Sequence, residues 1–481
     1  MSRIMKTRAL LILLATVIAL GSYLFVRLPR PGLGNAVRSH TPKYIFILFA
    51  DGAGITHMEI TRMYNRVVHK EGLNIPDKII KEGSLGLLTT HSANSLTTDS
   101  AAAATAMGNG CKAKTGALGV CEDGTIPKTV LEVAKEKGMR IGLITNATIY
   151  DASPAGFAGH VPDRGDFSLI IDQYLRLAPD LLLGGGRDQF LPQGRPGSGR
   201  KDDRDMIAAF LKQGYVYVSD RNELFRARGA KILGLFNLHD MNFEIDRDKD
   251  REPSVSEMTQ AAIRHLEEGN QRGFVVFIED EHVDSAGHLT DVASSIREYR
   301  EFDRAVGVVY EFYRSHPRET LILVTSDHET GGLGFTRALE ELSAGPNSKR
   351  LSGTEEDLKK IHSIPISIKK ATEILGTKPT SESIDRLMRD YFKGFTLAPD
   401  IKKMILTKQV AARNIYADPI ATGLGMMVAN NTQAYWGSST HTNQPVFVAA
   451  LGVGSERFRG YQDNTDFAKP LLALLREKDS A

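Results

Sequence analysis

Cysteine is almost absent: the 481 residues hold two, Cys111 and Cys121. Their spacing excludes a zinc ribbon. In an oxidising compartment they would close one short loop; otherwise they are two free thiols. A charge surplus is missing too. Lys and Arg total 60 against 58 Asp and Glu, so nothing points to a polyanion or to nucleic acid as partner. The sequence shows neither an internal repeat nor a low-complexity block. No hydrophobic C-terminal tail offers a lipid-anchor signal at that end. The one long apolar run is Ala9–Val26, 18 uncharged residues with Arg3, Lys6 and Arg8 before it and Arg27 and Arg30 after. Eighteen residues just span a bilayer. No clear A-x-A cleavage pattern follows, Gly34-Asn35-Ala36 being a weak candidate. We read 1–40 as an uncleaved N-terminal anchor plus linker, with a cleaved export signal as the alternative. Either way the body is expected outside the cytoplasm, at the periplasmic or extracellular face.

What is present is the material of a large globular fold. Apolar residues make up 42% and charged residues 25%, close to the globular average, so most of the chain should build a real core. Short apolar runs alternate with helical patterns, the α/β signature. The clearest strands are "KYIFILFA" (43–50), "RIGLIT" (140–145), "GFVVFIE" (273–279), "ETLILVTS" (319–326) and "PVFVAALG" (445–452). Nearly continuous apolar runs belong to strands covered on both faces. "PKTVLEVAKEKG" and "SEMTQAAIRHLEEG" read as helices with start and stop signals. The expected fold is therefore α/β, a large and mostly parallel central sheet with helices on both faces. Its sheet domain would comprise 41–335 and 431–481, with a mainly helical insertion over 336–430. Residues 187–255 read as loop-rich, and the charged run "DRDKDRE" (246–252) as a solvated face.

The informative feature is where acids and histidines fall. Asp51 directly follows "YIFILFA". Glu279 ends its strand, with Asp284 and His288 just beyond. Asp327 and His328 follow "LILVTS". In a parallel sheet these strand ends share one edge, where ligands bind. Carboxylates gathered in one crevice repel unless cations sit among them. Mixed Asp and His suit zinc; Glu, Asp and a hydroxyl suit magnesium. Singly, each residue is weak evidence, since an Asp after a strand is ordinarily a turn or cap residue. "EDEHVDSAGH" alone could be a solvated acidic loop; the conjunction argues otherwise. "THTNQP" adds His441. "YDASPAGFAGHVPDR" adds Asp151, Ser153 and Arg164, an arginine able to fork two hydrogen bonds onto a phosphate. In "TTDSAAAATAMGNG", Asp99 or Thr98 caps a helix of small residues. Ser100 stands at its N-terminus, where partial positive charge favours an anion.

Taken in order, "FADGAG", "TTDSAAAATA", "DASPAGFAGHVPDR", "EDEHVDSAGH", "TSDHETGG" and "THT" resemble the alkaline phosphatase family. The resemblance runs from about Lys43 to Leu475, weakly through 187–255 and 336–430. It implies hydrolysis of small phosphate monoesters through a phosphoserine, with two zinc ions and one magnesium ion, by a homodimer. Asp284, His288 and His441 would hold one zinc; Asp51, Asp327 and His328 would hold the other. Asp51 would also face the magnesium with Ser153 and Glu279, and Asp151 would hold that ion's waters. Ser100 would be the nucleophile. Arg164 would grip the phosphate, and Asp99 would steady Arg164 by a salt bridge.

Two rivals stand beside this reading. A diester or sulfate hydrolase of the same superfamily is disfavoured, because neither Thr nor a modified Cys replaces Ser100. An exported metal- or phosphate-binding protein without turnover predicts a missing ligand, and none is missing. Ser285 departs from the family, where a bulkier or basic residue often follows the first ligand of this motif. Glu281 and His282 read as loop residues, and 336–430 as a segment shaping substrate access or a dimer contact.

Overall fold

The computed structural model describes residues 41–229, 231–337, 352–410 and 414–477. The candidate anchor Ala9–Val26 lies outside them. Among the described residues no helix is long and apolar enough to cross a membrane.

The apolar runs become strands because their alternate residues enter two separate cores. In β1 (Tyr44–Ala50), Ile45, Ile47 and Phe49 face one layer, and Tyr44, Phe46 and Leu48 face the other. The main sheet's other strands are β2 (Ser84–Leu88), β3 (Arg140–Thr148), β4 (Leu181–Gly185), β5 (Tyr215–Val218) and β6 (Lys231–Leu235). They continue with β7 (Phe274–Asp280), β8 (Thr320–Thr325), β9 (Val446–Gly452) and β10 (Gly460–Gln462). All belong to one ten-stranded sheet, ordered β10-β2-β9-β8-β1-β7-β3-β4-β6-β5. Every pairing in it is parallel except the two made by β9, which runs against β2 and β8. The mostly parallel sheet is thus the one expected, with helices covering both faces.

Register levels the strand ends. Phe49 lies opposite both Glu279 and Thr325, so Asp51 and Asp327 emerge level with each other, with Glu279 two residues lower on its strand. The reversed direction of β9 explains His441. That residue precedes its strand, yet the start of an antiparallel strand lies on the same edge as the ends of its neighbours.

The loop-rich reading of 187–255 misses β5 and β6, which extend the sheet to one edge. They have four and five residues, too few for periodicity to register. The charged run at 246–252 is not wholly solvated either. Glu252 is buried and accepts hydrogen bonds from Asn237 and Asn242. Asp246 accepts from the Ser367 hydroxyl at 2.5 Å.

Residues 352–432 supply five helices between Glu355 and Thr432. Their apolar faces close a third core with Ile60, Tyr64, Val292, Ile296 and Leu333. Ser367 caps the helix Ile368–Leu375, whose first amide also donates to Asp291.

The Ser100 helix (Ser100–Asn109) is buried along its whole length. It packs on the helix Ala152–Ala158 at a distance only small residues allow. A Cβ on Gly108 would meet the Gly156 carbonyl oxygen at 2.6 Å, and one on Gly156 would meet the Ala104 Cβ at 2.6 Å. Small side chains therefore set the spacing between the helix that begins at Ser100 and the one that carries Ser153. Gly108→Val should force these helices apart and destabilise the fold by roughly 1–3 kcal/mol. Urea unfolding measures this; an unchanged midpoint would show that the small residues do not set the spacing.

Candidate active site

Three buried carboxylates meet at the end of β1, β7 and β8. Asp51, Glu279 and Asp327 are each at most 1% exposed. Asp51 Oδ1, Glu279 Oε1 and Asp327 Oδ2 have no hydrogen-bond partner. Unpartnered buried carboxylate oxygens cost several kcal/mol each unless protonated or bound to a cation. Burial first, then the neighbouring acids, pushes Asp51 and Glu279 well above the usual carboxylate range. Burial does the same to Asp327, up to about 6. The arrangement is stable as a set of anions only with positive charge among them.

Imidazoles complete two ligand sets. Asp51, Asp327 and His328 offer atoms within 4.8 Å of one another, and so do Asp284, His328 and His441. His328 lies between them. Its Nε2 is 3.2 Å from Asp327 Oδ2 and 3.6 Å from Asp51 Oδ1, while its Nδ1 is 4.0 Å from Asp284 Oδ1. His288 joins the second group: its Nε2 is 3.0 Å from Asp284 Oδ2 and 3.1 Å from His441 Nε2. Each of these two histidines spends its Nδ1 on a backbone carbonyl, His288 on Ser439 at 2.7 Å and His441 on Thr98 at 2.8 Å. Their Nε2 atoms are thereby left to face Asp284, the usual arrangement of a metal-binding histidine. Asp284 holds His288 up to about 9 against the effect of burial.

A third group adjoins Asp51. Ser153 Oγ donates to Asp51 Oδ2 at 3.2 Å, and Thr145 Oγ1 donates to Glu279 Oε2 at 2.6 Å. The oxygen-only donors of Asp51, Ser153 and Glu279 suit a hard cation such as magnesium. Asp151 stands at the start of the helix that carries Ser153, but its carboxylate reaches Arg164 Nη2 at 3.2 Å instead of capping that helix.

Ser100 completes the arrangement. Asp99 caps its helix, Oδ1 accepting from the Ala102 amide at 3.0 Å. Ser100 Oγ lies 3.3 Å from His328 Nε2. Arg164 Nη1 donates to Asp99 Oδ2 at 3.3 Å, so the half-buried guanidinium is held between two carboxylates beside the serine. Burial opposes its charge, yet Asp151 and Asp99 keep its pKa above the ordinary value. All twelve residues singled out in the sequence thus gather at one edge of the sheet. Glu281 lies in the turn after β7, but His282 is not a loop residue. Glu281 precedes the helix His282–His288, where the Ser285 hydroxyl donates to its carboxylate at 2.8 Å. His282 is buried, its Nε2 on the Met241 carbonyl and its ring edge-on to Phe243.

Comparison with known proteins places this geometry. The alkaline phosphatase family model matches residues 42–476. The chain belongs to the alkaline phosphatase family. It is 38% identical to the repressible alkaline phosphatase of Saccharomyces cerevisiae, over 68% of this chain and 62% of that protein. It is 30% identical to alkaline phosphatase 3 of Bacillus subtilis, over 90% of this chain and 89% of that one. The crystal structure of Thermus thermophilus alkaline phosphatase superposes with a TM-score of 0.81 at 26% identity, covering 94% of this chain and 96% of that one.

Within this phosphatase fold, several supporting residues escape a sequence reading. Thr145 and Asn146 lie within β3, just past the last residue in regular register with β7. Asn146 donates to Asp280 Oδ1 at 2.8 Å and accepts the Glu281 amide at 2.7 Å, fixing the turn between Glu279 and Asp284. Thr330 donates to Asp284 Oδ1 and lies 3.3 Å from His328 Nδ1, linking the two ligand sets. Glu329 accepts from the Gly332 amide at 2.9 Å and from Thr442 Oγ1 at 2.5 Å, tying His328's neighbour to His441's. Its place beside His328 in "SDHETGG" is the signal that could have found it.

The charge balance makes a pH prediction for metal-free protein. His288 rises from 6.5 to about 9 on folding, so its contribution is full below pH 6.5 and is lost as pH climbs through 9. The raised carboxyls of Asp51 and Glu279 act in the same direction, because they must ionise inside the fold. Chelator-treated protein should therefore lose stability from pH 6.5 to 9. Zinc-loaded protein should hold or gain it, since its ligands bind deprotonated. Thermal melts across this range decide; parallel slopes would contradict the charge balance.

Proposed function

We propose that the protein hydrolyses small phosphate monoesters through a phosphoserine formed on Ser100. Asp284, His288 and His441 would hold one zinc ion, and Asp51, Asp327 and His328 a second. Asp51, Ser153 and Glu279 would hold magnesium, with Asp151 beside its waters. The observation that carries the reading is Ser100 at a helix N-terminus, 3.3 Å from His328 Nε2 and next to an arginine held ready by Asp99. When bound, the zinc ions supply Lewis acidity toward the attacking and leaving oxygens, and magnesium offsets the remaining carboxylates.

The chain's own residues do the rest. The Ser100 helix directs its N-terminal partial charge at the phosphate. Arg164 turns its two η nitrogens from Asp99 and Asp151 onto two phosphate oxygens. Ser100 Oγ attacks phosphorus, the bond from phosphorus to the ester oxygen breaks, and the alcohol departs. Water then attacks the same phosphorus, the bond to Ser100 Oγ breaks, and inorganic phosphate leaves with the hydroxyl restored. Dividing the reaction in this way replaces one very slow step by two faster ones.

The setting is proposed on separate grounds. The charge pattern around Ala9–Val26 supports export, with that segment as a membrane tether. The joined Cys111 and Cys121 agree with an oxidising compartment. A homodimer completes the proposal.

Purified protein, stripped of zinc and magnesium and then restored, should release phosphate from an aryl monoester at alkaline pH only when restored. Ser100→Ala should lower that rate by about 10³-fold or more while zinc content stays the same. Absence of phosphate release from the restored wild type would overturn the reading.

A further inference from the structure

We propose that the disulfide-closed loop between Cys111 and Cys121 positions the phosphate-binding arginine, acting through the backbone of Gly116. The inference rests on the monoesterase reading above, and adds to it a part of the chain that holds neither metal ligand nor nucleophile.

The two cysteines lie ten positions apart and are bonded to each other. Gly116 stands at the tip of the loop they close. Its amide donates to Asp99 Oδ2 at 3.0 Å, and its carbonyl accepts the Arg164 amide at 2.8 Å. One residue thus touches both members of the Asp99–Arg164 pair. The Asp99 oxygen it binds is the same one that accepts Arg164 Nη1. The other Asp99 oxygen caps the Ser100 helix. A shift of Gly116 would therefore move the guanidinium relative to the nucleophile.

Besides the disulfide, hydrogen bonds rather than regular structure hold the tip: the Thr115 amide donates to Asn94 Oδ1 at 3.0 Å and Thr105 Oγ1 donates to the Ala117 carbonyl at 3.1 Å. Residues 111–121 contain no helix or strand beyond a single bridge at Leu118. That bridge joins Leu118 to Val161, three positions before Arg164, with both backbone hydrogen bonds made, at 2.8 and 2.7 Å. Thr105, inside the Ser100 helix, accepts the Gly119 amide at 2.8 Å. Gly116 itself has φ +87 with nothing near a would-be Cβ, so glycine is required there by backbone conformation, not by space. Covalent closure removes much of the loop's freedom and leaves the tip at one place. Small displacements of a phosphate-orienting group are costly to binding geometry.

The test compares oxidised wild type with Cys111→Ser/Cys121→Ser and with wild type reduced by dithiothreitol. In the reduction the S–S bond becomes two thiols and the reagent becomes its cyclic disulfide. All samples carry zinc and magnesium, and zinc content is checked. Opening the loop should raise KM for an aryl phosphate and Ki for inorganic phosphate together, by about 5- to 20-fold, with kcat changed less than about 3-fold. Gly116→Ala should do the same with the disulfide intact. In an Arg164→Ala background the opened loop should add nothing further to Ki. An unchanged Ki, or a shift that persists undiminished without Arg164, would overturn the proposal. Calorimetric titration with inorganic phosphate reads this affinity even if no ester turns over, so failure of the monoesterase reading and failure of this one are separate results.

Discussion

Carboxylates that cannot reach water govern this protein. Asp51, Glu279 and Asp327 stand at the same edge of three adjacent parallel strands, each with an oxygen left without a donor. Like charges so placed destabilise the fold unless counter-charge joins them. Asp284 holds His288 charged, but burial pushes His328 well below its ordinary value, so that imidazole beside Asp51 and Asp327 supplies no counter-charge. The reversed direction of β9 brings its start, and His441 before it, to the same edge.

The placement of Ser100 depends on packing as much as on charge. Ser100 begins a helix whose alanines and Gly108 let it lie against Gly156 at near contact. That approach brings Ser100, Ser153 and Asp151 into one space. Asp99 then has two duties, capping the helix with one oxygen and holding Arg164 with the other. The serine's position is thus fixed by the small side chains behind it, and the Arg164 guanidinium by the acid in front of it.

Much of this was legible in the sequence, for identifiable reasons. Strands β1, β3, β7, β8 and β9 are buried on both faces, so their apolar runs are nearly unbroken and the residues after them stand out. That is why Asp51, Asp284 and His328 could be named without coordinates. The short strands β5 and β6 carry too few residues for a pattern and were read as loop. Thr145, Asn146 and Gly116 escape the sequence as well. They act through hydrogen bonds to ligands or backbone far away in sequence, and nothing in residue type or spacing marks such a contact. His282 is misplaced by a sequence reading because an acidic stretch after a strand looks like a loop, whereas here it leads into the helix that carries Asp284 and His288.

The central claim is that this sheet edge is built around bound cations. Diffraction at the zinc absorption edge from crystals equilibrated with zinc and magnesium tests it most directly. The account predicts one anomalous peak among Asp284, His288 and His441 and a second among Asp51, Asp327 and His328. Between Ser153 and Glu279 it predicts density without zinc signal. Absence of both peaks in crystals that retain this fold would contradict it.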